Sequence, residues 1–138
     1  MFEKILVALD ESDHAQDVLK EVGEIATKFG SEVRIVHVLE TSFVGGAGMI
    51  NLEDSDVANR FVSDAMGTLR SHDVVASGAV RSSLHSGVAV EIDEEAMLAG
   101  ADVIVTGSKG VGDLKGLILG STVHKLLHVT KLPVLIIR

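Results

Sequence analysis

Apolar residues along the chain fall into two alternating rhythms. The first is a short unbroken run, Ile5-Leu6-Val7-Ala8-Leu9, that stops at Asp10. Runs of this length mark strands buried on both faces, as in a parallel sheet covered by helices. The second begins at once: Ala15, Val18, Leu19, Val22, Ile25, Ala26 and Phe29 step by three and four and put one stripe on one face of a helix. Ser12 is the expected cap, Asp13 and Asp17 suit the positive end, and Gly30 is the expected stop. The two rhythms then repeat. Val33–Val38 predicts a second strand, and residues 40–54, with Gly45, Gly46 and Gly48, read as a mobile loop. A helix follows through Val57, Phe61, Val62, Ala65, Met66 and Leu69, then an edge-type strand within Val74–Leu84. A helix over Val88–Ala99 ends at Gly100, and Asp102–Thr106 is the fourth strand. A glycine-rich stretch from Gly107 to Gly120 leads to a helix starting near Ser121, which by itself reads as the N-cap, and Pro133 opens the last strand, Val134–Ile137.

Five strands alternating with four helices imply right-handed βαβ units. The expected fold is α/β: an open five-stranded parallel sheet, order 3-2-1-4-5, sandwiched by four helices. In that order the switch point lies between strands one and four, where open sheets bind ligands. Asp10 and Gly107 then flank the crevice.

Composition narrows the chemistry. The chain has 138 residues and no Cys, which removes disulfides, zinc-thiolate sites and thiol nucleophiles. Its length fits one domain, 1–138. No apolar stretch approaches the ~20 residues of a membrane span, and the N-terminus lacks a signal-peptide pattern, so the expected location is cytoplasmic. A net charge of −8 argues against nucleic acid and anionic membranes. The charge is uneven. Residues 1–102 carry seven basic and nineteen acidic side chains, whereas residues 103–138 carry five basic side chains against Asp113 alone.

That basic segment holds the candidate chemistry, Gly107-Ser108-Lys109-Gly110, nine residues, then Gly120-Ser121-Thr122. Glycines let backbone N–H groups approach an anion, and a helix start favours phosphate. Lys109 and Lys115 are available to neutralise charge. Two better-known glycine motifs are absent. Residues 10–15 contain no glycine, so there is no dinucleotide fingerprint, and no Lys precedes Ser121 as a Walker A loop requires. His124 and His128 share a helix face, a spacing that can hold a metal, but no Glu follows the first His as in zinc-protease helices. They are taken as helix-surface or interface histidines, and no metal ligand is assigned. Asp93-Glu94-Glu95 is taken as a solvated face.

The G-x2-G-x9-G-[S/T] spacing after the fourth strand resembles the ATP-binding branch of the universal stress protein family. Ile5–Asp10 with Ser12 is similar to the family's opening strand and Asp-x-Ser signature. His37-Val38 is similar to its second strand end, and Asp102–Gly110 to its fourth strand and glycine segment. Leu132–Arg138 is similar to its closing strand. The resemblance spans essentially the whole chain and implies an adenine nucleotide alpha hydrolase-like fold that binds ATP with Mg²⁺. By position it implies adenine contacts from Asp10 and Val38, with Ala8 and Leu9 lining that side. Gly107, Lys109 and Gly110 would hold ribose and phosphates, with Thr106 in the binding set. Gly120, Ser121 and Thr122 would hold phosphates at the helix start. Position 109 is Lys where the family often has Arg or His, which alters hydrogen-bond geometry. The implied role is a nucleotide-dependent stress or regulatory module with no catalytic residue assigned. The alternative is an ATP-using enzyme with slow ATPase or self-phosphorylating activity. A receiver-type signalling domain fails because nothing near Leu84 supplies a phosphoacceptor Asp. The family also pairs its last strand across a two-fold axis, which implies a homodimer through Val134–Ile137.

Overall fold

Within β1 (Lys4–Ala8) and β5 (Val103–Gly107) the side chains of Ile5–Ala8 and Val103–Thr106 are almost wholly shielded from solvent, and these two strands form the centre of the sheet. The structure is a computed structural model that describes residues 1–46, 48–51, 54–84, 87–108 and 119–138. Between and around the central strands lie α1 (Ala15–Phe29), β2 (Glu32–Val44), β3 (Gly48–Asn51), α2 (Ser55–Arg70) and β4 (Val75–Leu84). Then come α3 (Val88–Ala99), α4 (Ser121–Val129) and β6 (Val134–Ile137).

The parallel strands run in the order β4-β2-β1-β5-β6, which is the expected 3-2-1-4-5 arrangement once the parallel strands alone are counted. Chain order reverses at β1. From β1 the chain crosses to β2 and β4 on one side, then returns to β5 and β6 on the other.

The strand period of two sorts the core into two layers. Ile5, Val7 and Leu9 point with Val33, Ile35, Val103 and Val105 toward α1 and α2. Leu6, Ala8, Val36, Val38 and Ile104 point the other way, toward α3 and α4. Fully burying each large aliphatic side chain contributes about 1.5–3 kcal/mol, so a central strand buried on both faces is strongly specified. Gly30 (φ 68°) and Gly100 (φ 66°) end α1 and α3 in the left-handed conformation expected of them.

Three local expectations are corrected. Residues 40–54 are not simply a loop. β2 continues to Val44 and pairs antiparallel with β3, Thr41 opposite Asn51 through Val44 opposite Gly48, making a sixth strand. The expectation of a loop rested on glycine density, but Gly46 (φ 80°) supplies the positive φ of the connecting turn. Ser12 does not cap α1 through its side chain. The helix starts at Ala15 behind His14, and the Ser12 carbonyl accepts from the Ala15 N–H at 3.1 Å. Asp93-Glu94-Glu95 is not wholly a solvated face, because Glu95 is 6% exposed. It is drawn in by Arg34 (2.8 Å) and Arg81 (2.9 Å), which project from β2 and β4.

Candidate functional site

The carboxyl ends of β1 and β5 diverge into a cleft of about 560 Å³, within the range of roughly 300–1,000 Å³ common for small-molecule sites. One wall is apolar: Ala8, Val36, Val38, Val88 and Ile92. The opposite wall is the start of α4, with Gly120, Ser121, Thr122 and Val123. Asp10, Glu11, Ser12 and His14 approach from the β1–α1 connection, and Glu40 from β2.

The start of α4 is open. Gly120, with φ −55° and ψ 149°, holds the N-cap position, and no side chain among the described residues caps the helix. This corrects the expectation that Ser121 is the cap; it is the first helical residue instead. The helical ladder begins where the His124 N–H donates to the Gly120 carbonyl at 3.0 Å. The N–H groups of Ser121, Thr122 and Val123 therefore have no intrahelical acceptor. Together with the helix dipole they form a seat for an anion. The Gly120 N–H donates to the Ser108 carbonyl at 3.2 Å, and the Ser108 N–H to the Ile137 carbonyl at 2.7 Å. Two backbone bonds thus tie the helix start to the ends of β5 and β6.

Asp10 is half-buried, and its Oδ1 accepts from the Ser12 N–H at 3.1 Å. The carboxylate shapes the turn and also lines the cleft. Beneath it, His37 donates from Nδ1 to the Leu9 carbonyl at 2.7 Å and packs edge-on to Phe61. This buried contact locks the end of β1 to β2.

Gly107 has a packing role that spacing alone did not reveal. A Cβ there would lie 2.8 Å from Cδ2 of His14 and 3.3 Å from Cγ2 of Val18. Its missing side chain lets α1 close on β5. His14 in turn donates from Nε2 to the Ile137 carbonyl at 3.0 Å, and its Nδ1 faces the Asp17 carboxylate at 3.4 Å.

Ala8, Leu9, Asp10, Val38, Thr106, Gly107, Gly120, Ser121 and Thr122 all border this one cleft. Lys109 and Gly110, and Lys115 with them, lie outside the described residues. Sequence reasoning missed His14 and Glu40. The rule that loops at strand carboxyl ends face the ligand would have flagged His14. Glu40 fell in the segment taken as loop, so its strand position had no signal.

An open α/β sheet with a cleft at its switch point is the architecture in which this class of fold places its ligand site. The family model described as "Universal stress protein family" matches residues 1–138, and the chain belongs to that family. It is 29% identical to universal stress protein YxiE of Bacillus subtilis over 150 residues, covering all of both chains. Among solved structures, the universal stress protein of Archaeoglobus fulgidus in complex with dAMP is 25% identical, with a TM-score of 0.71 and full coverage of both chains. UspA of Lactobacillus plantarum shares the fold, with a TM-score of 0.84 over 99% of this chain and 98% of that one at 19% identity. No described helix is long and apolar enough to cross a membrane.

Proposed function

We propose that this chain binds ATP with Mg²⁺ in the switch-point cleft and acts as a nucleotide-dependent regulatory module of the cytoplasm. The observation that carries the reading is the start of α4, where Ser121, Thr122 and Val123, whose N–H groups have no acceptor among the described residues, line the same cleft as the apolar wall at Val38. In this reading a purine lies against Ala8 and Val38, with Leu9 lining that side and Asp10 accepting from a base or ribose donor. Thr106 and Gly107 border the ribose and phosphate path, and Lys109 and Gly110 join them in this reading. Gly120, Ser121 and Thr122 receive the phosphates through backbone donors and hydroxyls. The dAMP bound by the Archaeoglobus relative supports an adenine nucleotide as the ligand class.

Asp10, Glu11 and Glu40 make the cleft acidic around that seat. Magnesium would supply the positive charge that offsets their repulsion of the phosphates. The chain's own part is to bind and orient, and no residue is assigned to catalysis. Regulation would pass through a homodimer joined at β6, whose edge position leaves backbone groups free for an antiparallel partner.

Calorimetric titration of the nucleotide-stripped protein with ATP-Mg tests the reading. Saturable binding is expected, and no heat at millimolar ATP would sink it. Phosphate release well above the spontaneous rate would turn the reading to a slow ATPase. Light scattering that finds only monomer at micromolar concentration would remove the dimer.

A further inference from the structure

We infer that His124 and His128 form a two-imidazole site for an exchangeable divalent transition-metal ion on the outer side of α4. Both are exposed, and neither lines the cleft. The helix buries Val123 and Leu126 instead, so the histidines sit on the side turned away from the core. Residues four apart on a helix stack one above the other. Here the rings meet edge to face, with centroids 4.9 Å apart.

That separation is what chelation needs. With metal–nitrogen bonds of about 2.0–2.1 Å and ring centres about 1.1 Å further out, coordination angles of about 90–109° put the two centroids about 4.5–5.2 Å apart. The observed spacing lies inside this window, so rotation of the two side chains is enough to turn a nitrogen of each ring toward one metal, with no backbone movement. The backbone is also fixed, because the Thr130 N–H closes the last turn on the Leu126 carbonyl at 2.9 Å.

The donor set selects the metal class. Neutral imidazole suits Cu²⁺, Ni²⁺ and Zn²⁺ and disfavours Mg²⁺ and Ca²⁺. No third His, Cys, Asp or Glu joins the pair among the described residues. The remaining coordination positions therefore belong to water or an outside ligand. Such a site holds its metal reversibly, unlike a structural zinc site with four protein ligands. The Irving–Williams order makes Cu²⁺ the tightest of these ions.

The test is titration of the metal-free full chain with NiCl2, followed by calorimetry and by paramagnetic broadening of the histidine ring resonances. One saturable site per chain is expected, with both rings broadened together. His124→Ala and His128→Ala should each weaken binding about tenfold or more, because either change turns a chelate into a single ligand. His72→Ala, at an exposed histidine elsewhere, should leave it unchanged. Moving the second ring one residue on (His128→Ala with Val129→His) should fail to restore affinity, since five-residue spacing separates the rings around the helix. Circular dichroism checks that each variant is folded. Equal affinity in wild type and both single variants, recovery in the shifted variant, or no saturable binding at millimolar NiCl2 would overturn the site. Nucleotide enters none of these measurements, so their outcome is independent of the proposed ATP site.

Discussion

The two ends of the sheet treat polar groups in opposite ways. At the amino end, charges are satisfied from within the chain. Asp102 accepts from the Phe2 N–H (3.0 Å) and the Glu3 N–H (2.9 Å), Lys4 faces Glu32, and Arg34 closes on Glu95, which Arg81 reaches from further along β4. A cavity of about 370 Å³ lies there as well, lined by Lys4, Glu32, Arg34 and Glu95 among others. Its charged groups are already paired with one another. At the carboxyl end the α4 start leaves backbone donors without acceptors among the described residues. A cavity becomes a candidate site through what its polar groups lack, and volume alone does not separate these two.

The largest effect expected is on the amino-end network. Glu95→Ala leaves Arg34 and Arg81 without their buried partner. Breaking a fully buried pair costs about 3–5 kcal/mol, and the partial exposure of both arginines lowers the expectation to about 2 kcal/mol. Chemical denaturation measures it, and affinity for ATP-Mg should not change. The same residue predicts a pH dependence. Burial pushes the Glu95 carboxyl up, but hydrogen bonds from Arg81 and Arg34 outweigh burial and hold it below its ordinary 4.5. A lowered folded-state pKa means that the unfolded chain takes up the proton first as pH falls. The stability advantage of wild type over Glu95→Gln should therefore be full at neutral pH. It should shrink as pH falls below 4.5 and vanish below the folded-state value. Arg81 is shifted upward by its Glu91 and Glu95 hydrogen bonds and stays charged throughout.

Next is Gly107→Ala, which forces a Cβ against the His14 ring. Overpacking of this kind costs about 1–3 kcal/mol. Adding His14→Ala should recover part of that loss, with the Val18 contact keeping the rest, and a double-mutant cycle reads the coupling. If Gly107→Ala costs nothing, the close approach of α1 to β5 is wrong.

Ser121→Pro is smaller in stability but more telling for the site. Proline fits the first helical position, and Gly120 already has the extended backbone that a residue before proline requires. The variant removes one free N–H and one hydroxyl without disturbing the helix. Stability should move by less than about 1 kcal/mol, while ATP-Mg affinity should fall about tenfold, as lost hydrogen bonds to a charged ligand imply. Unchanged affinity would move the anion seat elsewhere. The smallest effect is Lys4→Ala. Its partner Glu32 is 3.8 Å away and both side chains are more than half exposed, so stability should stay within about 0.5 kcal/mol.

Legibility from sequence tracked local physics. The runs at Ile5–Leu9 and Val134–Ile137 and the stripe of α1 gave their elements because burial on one or both faces writes a period into the chain. Gly30 and Gly100 were legible because only a left-handed residue ends those helices cheaply. Extended pairing at residues 40–51 was not legible, since β3 gains its order from β2 and carries no strong pattern of its own. Capping failed at Ser12 and Ser121 for a related reason. A serine marks a helix start only to within a few residues, and His14 and Gly120 hold the N-cap positions instead.

Sequence alone thus determined the alternation of strands and helices, the parallel sheet and its switch point, and the glycines and hydroxyls around Gly107 and Gly120. Each follows from periodicity or from residue types with narrow backbone preferences. Tertiary structure decided what those residues do for one another. It turned Glu95 inward to two arginines and set His14 against Gly107. Those outcomes depend on contacts between segments far apart in the chain or on side-chain direction, and neither is written in local pattern.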